Sequence, residues 1–145
     1  MVNAPRRPLP SELRRVHDFV QRLVDETYAF VWPSGAPAID ATDWAQGWVV
    51  ERDARVVAVM LTGGEWLDDL WIDQSCRGIG LGSALLAQAE AEIAARGIDL
   101  ARLRVVRGND VALAFYRRRN WRLAREYRHE RLPIDILELE KKLIA

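Results

Sequence analysis

From Gly47 onward the apolar residues stop recurring every three or four positions and gather into short strand-like runs, and this change of period constrains the fold more than any other feature. Residues 48–53 read WVVERD, 56–62 read VVAVMLT and 65–73 read EWLDDLWID, with a turn at Asp53-Ala54-Arg55 and a Gly63-Gly64 break between them. Parallel neighbours need crossovers of a dozen residues or more, so connections this short predict an antiparallel meander of three strands. Glycines follow at once. Residues 76–86, CRGIGLGSALL, place Gly78, Gly80 and Gly82 at every second position and run straight into a helical pattern.

Before the meander, Ser11 is a candidate N-cap for a helix with apolar positions Leu13, Val16, Val20, Leu23, Val24, Thr27 and Val31, ending near Trp32-Pro33. Residues 34–43, SGAPAIDATD, have a loop's composition, followed by a helical turn at 43–46; the segment from Trp32 to Trp44 is a candidate pocket wall. After the glycines, residues 83–96 are rich in Ala, Leu and Glu, with Gly97 as the stop. ARLRVV at 101–106 reads as a strand. Asn109 and Asp110 cap a helix through Arg119, which Asn120 ends in a left-handed turn; 121–130 and 133–140 are two further strands. This order predicts an α/β chain of the α+β kind, a mixed and mainly antiparallel central sheet flanked by helices. Its third strand and residues 101–106 are parallel neighbours.

At 145 residues, half of them hydrophobic, the chain is long enough for one sizeable core and is expected to form a single domain, 1–145. No stretch approaches the roughly 18 apolar residues of a membrane span, and MVNAPRRPLPSEL has no apolar signal segment, so a cytoplasmic location without membrane contact is expected. Cys76 is the one cysteine and the histidines number two, so neither a disulfide nor a metal is expected. The formal net charge is zero but unevenly spread. Residues 1–100 carry nine arginines against fifteen acids, net minus six, and residues 101–145 carry twelve Lys or Arg against six acids, net plus six. With no overall basicity and no recognition motif, nucleic acid is not an expected partner.

At a strand-to-helix junction, side-chain-free backbone and the unpaired N–H groups of the helix make an anion site suited to a pyrophosphate; a tight turn alone also calls for glycine. The run is not a Walker A loop, because Ser83-Ala84 follow Gly82 where Lys-Ser/Thr is required. A dinucleotide fingerprint needs a parallel βαβ unit, and here an antiparallel meander precedes the loop. The stretch LWIDQSCRGIGLGSALLAQAEAEIAARG resembles the acetyl-CoA-binding motif of the GNAT acyltransferase superfamily, Arg/Gln-x-x-Gly-x-Gly/Ala, here Arg77-Gly78-Ile79-Gly80-Leu81-Gly82. Downstream, NDVALAFYRRRNWRLA resembles the family's Asn-x-x-Ala-x-x-Phe-Tyr-x-x-x-Gly-Phe segment, with Asn120-Trp121 in place of Gly-Phe. Both lie within residues 47–145. The resemblance implies a single GNAT domain that moves an acetyl group from acetyl-CoA directly to a primary amine of a small molecule or protein, without a metal. A non-catalytic acyl-CoA-binding or protein-interaction module on the same fold is the alternative. The family's first strand falls on residues 2–7, which Pro5 interrupts, so it is expected to be short or absent.

By the same resemblance, the amides of Arg77, Gly78, Ile79, Gly80, Leu81, Gly82 and Ser83 hold the CoA pyrophosphate. The strand with Leu70, Trp71 and Ile72 splays at a bulge and pairs with the pantetheine arm, an N–H near Ile72 aiming at the thioester carbonyl. Asn109 matches the position that contacts that arm, and an N-cap role is compatible with it. Arg107 and Arg117, Arg118 and Arg119 suit the 3′-phosphate. Tyr116 stands where the family has its tyrosine general acid, and a phenol with a pKa of about 10 can protonate a thiolate of similar basicity. A lysine-like amine, with a pKa of about 10.4, must lose a proton before it attacks. Asp68 and Glu65 are the base candidates, since alternation lets only one of Asp68 and Asp69 face the cleft; exposed acids on a solvated strand end read the same way. Cys76 as an acyl-accepting nucleophile is a rival without a nearby His. The acids Asp40, Asp43, Glu65, Asp68, Asp69 and Asp73 suit a cationic acceptor walled by Trp32, Trp44 and Trp66. A homodimer through the sheet edge at the last strand is a further expectation.

Overall fold

The computed structural model of the chain describes residues 2–143. The strand-like segments pair into one sheet of β1 (Trp48–Arg52), β2 (Arg55–Gly63), β3 (Trp66–Ile72), β4 (Leu100–Val106), β5 (Arg122–Arg128) and β6 (Asp135–Lys142), ordered β1-β2-β3-β4-β6-β5. Every neighbouring pair is antiparallel except β3 and β4. The helices are α1 (Leu13–Thr27), α2 (Leu81–Ala95) and α3 (Asp110–Arg117). Successive residues of β2 point to opposite faces, and both faces are covered. Val59 and Leu61 pack with Val16, Phe19, Val20 and Leu23 of α1, while Ala58 and Met60 pack with Leu85, Leu86, Ala89 and Ile93 of α2. That is why VVAVMLT is an unbroken apolar run rather than an alternating one. The β1–β2 turn is built from two left-handed residues, Asp53 (φ 53°) and Ala54 (φ 61°), the geometry a two-residue hairpin favours. No described helix is long and apolar enough to cross a membrane.

Four details differ from the sequence-based expectations. Ser11 is not a cap: residues Pro10–Glu12 form a 3-10 turn, and Glu12 Oε1 accepts the Leu9 N–H (2.7 Å). α1 ends at Thr27, not near Trp32, because Tyr28 takes the C-cap and the chain turns so that Phe30 lies against Gly108. α2 begins at Leu81, two residues early, with the buried Leu81 side chain anchoring its first turn. The last strand is not an edge. β6 lies between β4 and β5, because the 129–134 loop returns the chain to the inside of the sheet, and β5 forms the free edge. The family's first strand is reduced to a bridge, Arg6 with Val49 (N–H to O 3.0 and 2.7 Å), plus Asn3 N–H to Glu51 O (2.8 Å); Pro5 and Pro8 supply no N–H for more.

Candidate active site

β3 and β4 pair only at Trp66–Arg102 and Leu67–Leu103, and beyond these the two strands part. The cause is on the other side of β3. Leu61 pairs with Asp69 and Thr62 with Leu67, so Asp68 is an extra residue, a bulge that bends the strand away. Past the bulge, Asp73 N–H donates to Val57 O on the β2 side (2.8 Å). Alternation then turns the N–H and C=O of Leu70 and Ile72 toward the open seam, and Arg77 Nε reaches back to Ile72 O (3.3 Å).

The glycines divide into two kinds. Gly78 (φ 81°) and Gly80 (φ 84°, the N-cap of α2) adopt left-handed conformations that a side chain disfavours. Ala84 N–H donates to Gly80 O (3.0 Å), and the first-turn amides of Leu81, Gly82 and Ser83 precede any intrahelical acceptor. Gly82 serves packing: a Cβ there would come within 3.3 Å of the Phe115 ring on α3. Arg119 joins this junction, donating from Nε and Nη2 to Ser83 Oγ (3.0 and 2.6 Å) and lying 3.8 Å over Phe115.

Two cavities meet at the end of the seam. The smaller, about 80 Å³, lies in the seam and is lined by Asp68, Leu70, Asn109 and Tyr116 among others. The larger, about 540 Å³, lies between the α1–β1 and β5–β6 loops, with Trp32, Trp44, Asp40, His129 and Arg131 in its wall. Tyr28, Asp69 and Trp71 line both. The α1–β1 loop is fixed by side chains that replace missing strand partners. Gln21 binds Ile39 N–H (2.8 Å) and Pro37 O (3.2 Å), and Asp25 accepts Ala36 N–H (2.9 Å).

Asp69 is the electrostatic centre of that shared wall. Burial raises its carboxyl to about 6, against the pull of Trp71 Nε1–H (3.0 Å) and with a further push from Asp68. Asp68, more open, is also raised by burial, while Arg104 and Arg96 draw it down. Burial raises the Tyr116 phenol well above its ordinary value, as do its neighbours Tyr28 and Asp69. Tyr28 is raised by burial too, with Asn109 opposing. The bulge breaks strict alternation, so Asp68 and Asp69 both line the seam cavity.

The other expected residues fall in several places. Tyr116, Asp68, Leu70, Trp71 and Asn109 come together, and Asn109 also caps α3 through Oδ1 to Ala112 N–H (3.3 Å). Glu65 does not join them; it pairs with Arg102 (2.9 Å) on the sheet face. Trp66 lies under Arg104 (3.8 Å) rather than in the large cavity, and Asp73 pairs with Arg22 (3.0 Å). Arg107 is engaged by Glu126, and Cys76 is fully buried. Periodicity named Asp69 and Trp71 without placing their side chains on this wall, and it did not single out the Tyr28 phenol or the 129–131 loop. Only Tyr28 left a trace, four residues after Val24 on the apolar face of α1.

Solved structures share this fold over nearly the whole chain. A ribosomal-protein-alanine N-acetyltransferase from Brucella melitensis superposes with a TM-score of 0.72 at 18% identity, covering 97% of this chain and 100% of its own. An N-acetyltransferase from Staphylococcus aureus gives 0.74 at 16%, covering 99% of each. A ribosomal-protein-alanine N-acetyltransferase from Escherichia coli gives 0.68 at 15%, covering 100% of this chain and 96% of its own. No curated protein matches the sequence. The acetyltransferase (GNAT) family profile matches residues 17–121, from within α1 to the end of the Tyr116 segment. The parted strands, the glycine junction and Tyr116 all fall within that match, and the chain belongs to the acetyltransferase (GNAT) family.

Proposed function

We propose that the protein catalyses direct transfer of an acetyl group from acetyl-CoA to a primary amine, with Asp69 as the base and Tyr116 as the acid. The observation that carries this reading is the wall shared by the two cavities, where Asp69 borders both the seam and the larger chamber. The seam fits the donor. Leu70 and Ile72 offer N–H groups without a strand partner to a pantetheine arm, and Gly78 to Ser83 offer backbone amides to a pyrophosphate. Arg119, held at Ser83, adds positive charge beside those amides rather than at a more distant phosphate.

Acetyl-CoA supplies a thioester whose acyl carbon accepts the amine nitrogen while the carbon–sulfur bond breaks. Asp69 takes the proton that the amine gives up, a role suited to a carboxyl raised toward neutrality. Tyr116 holds a proton at Oη, kept there by burial, for the departing thiolate. Trp71 Nε1–H orients the Asp69 carboxylate.

The test measures thiol release and acetyl-CoA binding together. Tyr116→Phe is expected to reduce turnover by roughly 100-fold while leaving acetyl-CoA affinity unchanged. Saturable acetyl-CoA binding by the wild-type protein with no thiol release for any amine would instead favour the binding-module alternative.

A further inference from the structure

We infer that the 540 Å³ chamber selects a compact amine whose apolar body also bears a carboxylate, rather than a polycation; this rests on the acetyl-transfer reading above. Its walls are largely apolar, with the rings of Trp32, Trp44, Trp71 and Tyr28 set among aliphatic side chains such as Val20, Val24 and Ile39. Its polar groups are divided by sign. The acids, Asp69 and Asp40, come from β3 and the α1–β1 loop, where an ammonium group is welcome.

Of the ionisable residues of the β5–β6 loop, His129 and Arg131 line the chamber and Glu130 does not. His129 Nδ1 accepts the N–H groups of Arg131 (3.1 Å) and Leu132 (3.0 Å) and therefore carries no proton, which leaves Nε2–H as a donor. The loop is closed by His129 N–H to Ile134 O (2.9 Å), so this orientation is built in. Arg131 has no carboxylate within ion-pair distance among the described residues. By contrast, the arginines of the adjoining β5 are neutralised across the hairpin: Arg122 by Glu140 (3.0 Å), Arg125 by Glu138 (3.2 Å) and Arg128 by Asp135 (3.3 Å). An uncompensated guanidinium beside a fixed imidazole donor matches a carboxylate and repels a second ammonium. The cationic acceptor suggested by the acid count of residues 1–100 thus gives way, since of those six acids only Asp40 and Asp69 line this chamber.

Calorimetric titration of the full chain with phenylalanyl-glycine, its C-terminal amide and spermidine tests this without requiring turnover. The free acid is expected to bind about tenfold or more tightly than the amide, and Arg131→Gln to bring the two within about twofold while acetyl-CoA affinity stays the same. Equal or tighter binding of the amide, tighter binding of spermidine, or no binding of any of the three overturns the inference. If the acid is preferred yet no amine yields thiol release, the acetyl-transfer reading fails and the ligand class stands.

Discussion

Asp69 keeps its proton well beyond the ordinary aspartate range because burial removes water from the carboxylate and, among the described residues, Trp71 Nε1–H is its one side-chain hydrogen bond. This has a cost in stability with a definite sign. Between about pH 4 and 6 an unfolded chain releases this proton while the folded chain retains it. The folded state therefore loses stability across that window, and the penalty is complete above about pH 6. Asp69→Asn removes it, so the variant is expected to be more stable than wild type by about 1 to 3 kcal/mol in denaturant titrations at pH 8. Its turnover should fall by roughly 100-fold, and the wild-type rise of kcat/KM through about pH 6 should disappear from what activity is left. Undiminished turnover with that rise intact would remove Asp69 from the chemistry. A buried acid that costs stability and borders two cavities is the pattern expected of a functional group rather than a structural one.

α1 shows how an element's boundary is set by partners beyond it. Glu12 receives Arg6 through two hydrogen bonds (2.8 Å each), Arg15 (2.9 Å) and the Leu9 N–H, while Arg6 also pairs with Glu51 of β1. The helix start, the N-terminal segment and the sheet edge are thereby tied at one buried carboxylate. The Arg6 guanidinium holds this carboxyl near 2, against an ordinary value of about 4.5. A depressed value means that the contribution is whole above about pH 4.5 and is lost as pH falls toward 2. Glu12→Ala is expected to cost about 1 to 3 kcal/mol at pH 7 and to flatten stability over that acid range. Ser11→Ala, at the residue that looks like a cap, should change stability by less than about 0.5 kcal/mol. Thermal melts at pH 7 and pH 3 separate the two, and a larger loss from Ser11→Ala would refute the assignment.

Across the sheet, the parting of β3 and β4 leaves the N–H groups of Leu70 and Ile72 without a strand partner, in the middle of a six-stranded sheet. Acetyl-CoA is expected to fill that seam, so hydrogen exchange at the Leu70 and Ile72 amides should slow by tenfold or more on saturation, while amides of β5 remain as they were. Unchanged exchange at both would place the donor elsewhere. Much of this arrangement was legible locally. The short apolar runs of 48–73, the short turns between them, the helical run after Gly82 and the left-handed Asn120 each follow from the conformational preferences of a few adjacent residues. The two glycine roles were harder to tell apart, because Gly82 answers to Phe115, some thirty residues away. The choice among acids turned on a single surplus residue. Whether Asp68 or Asp69 meets the acceptor depends on the register of β3 against β2, and a bulge leaves no periodic mark in the chain. The order of residues thus dictates the elements, their sequence along the chain and the glycine junction, since these rest on backbone preference and hydrophobic period. Tertiary pairing settles which carboxylate is buried, that Tyr28 and Trp71 wall both cavities, and that Arg131 and Asp40 line one chamber, because burial and charge proximity exist only once distant segments meet.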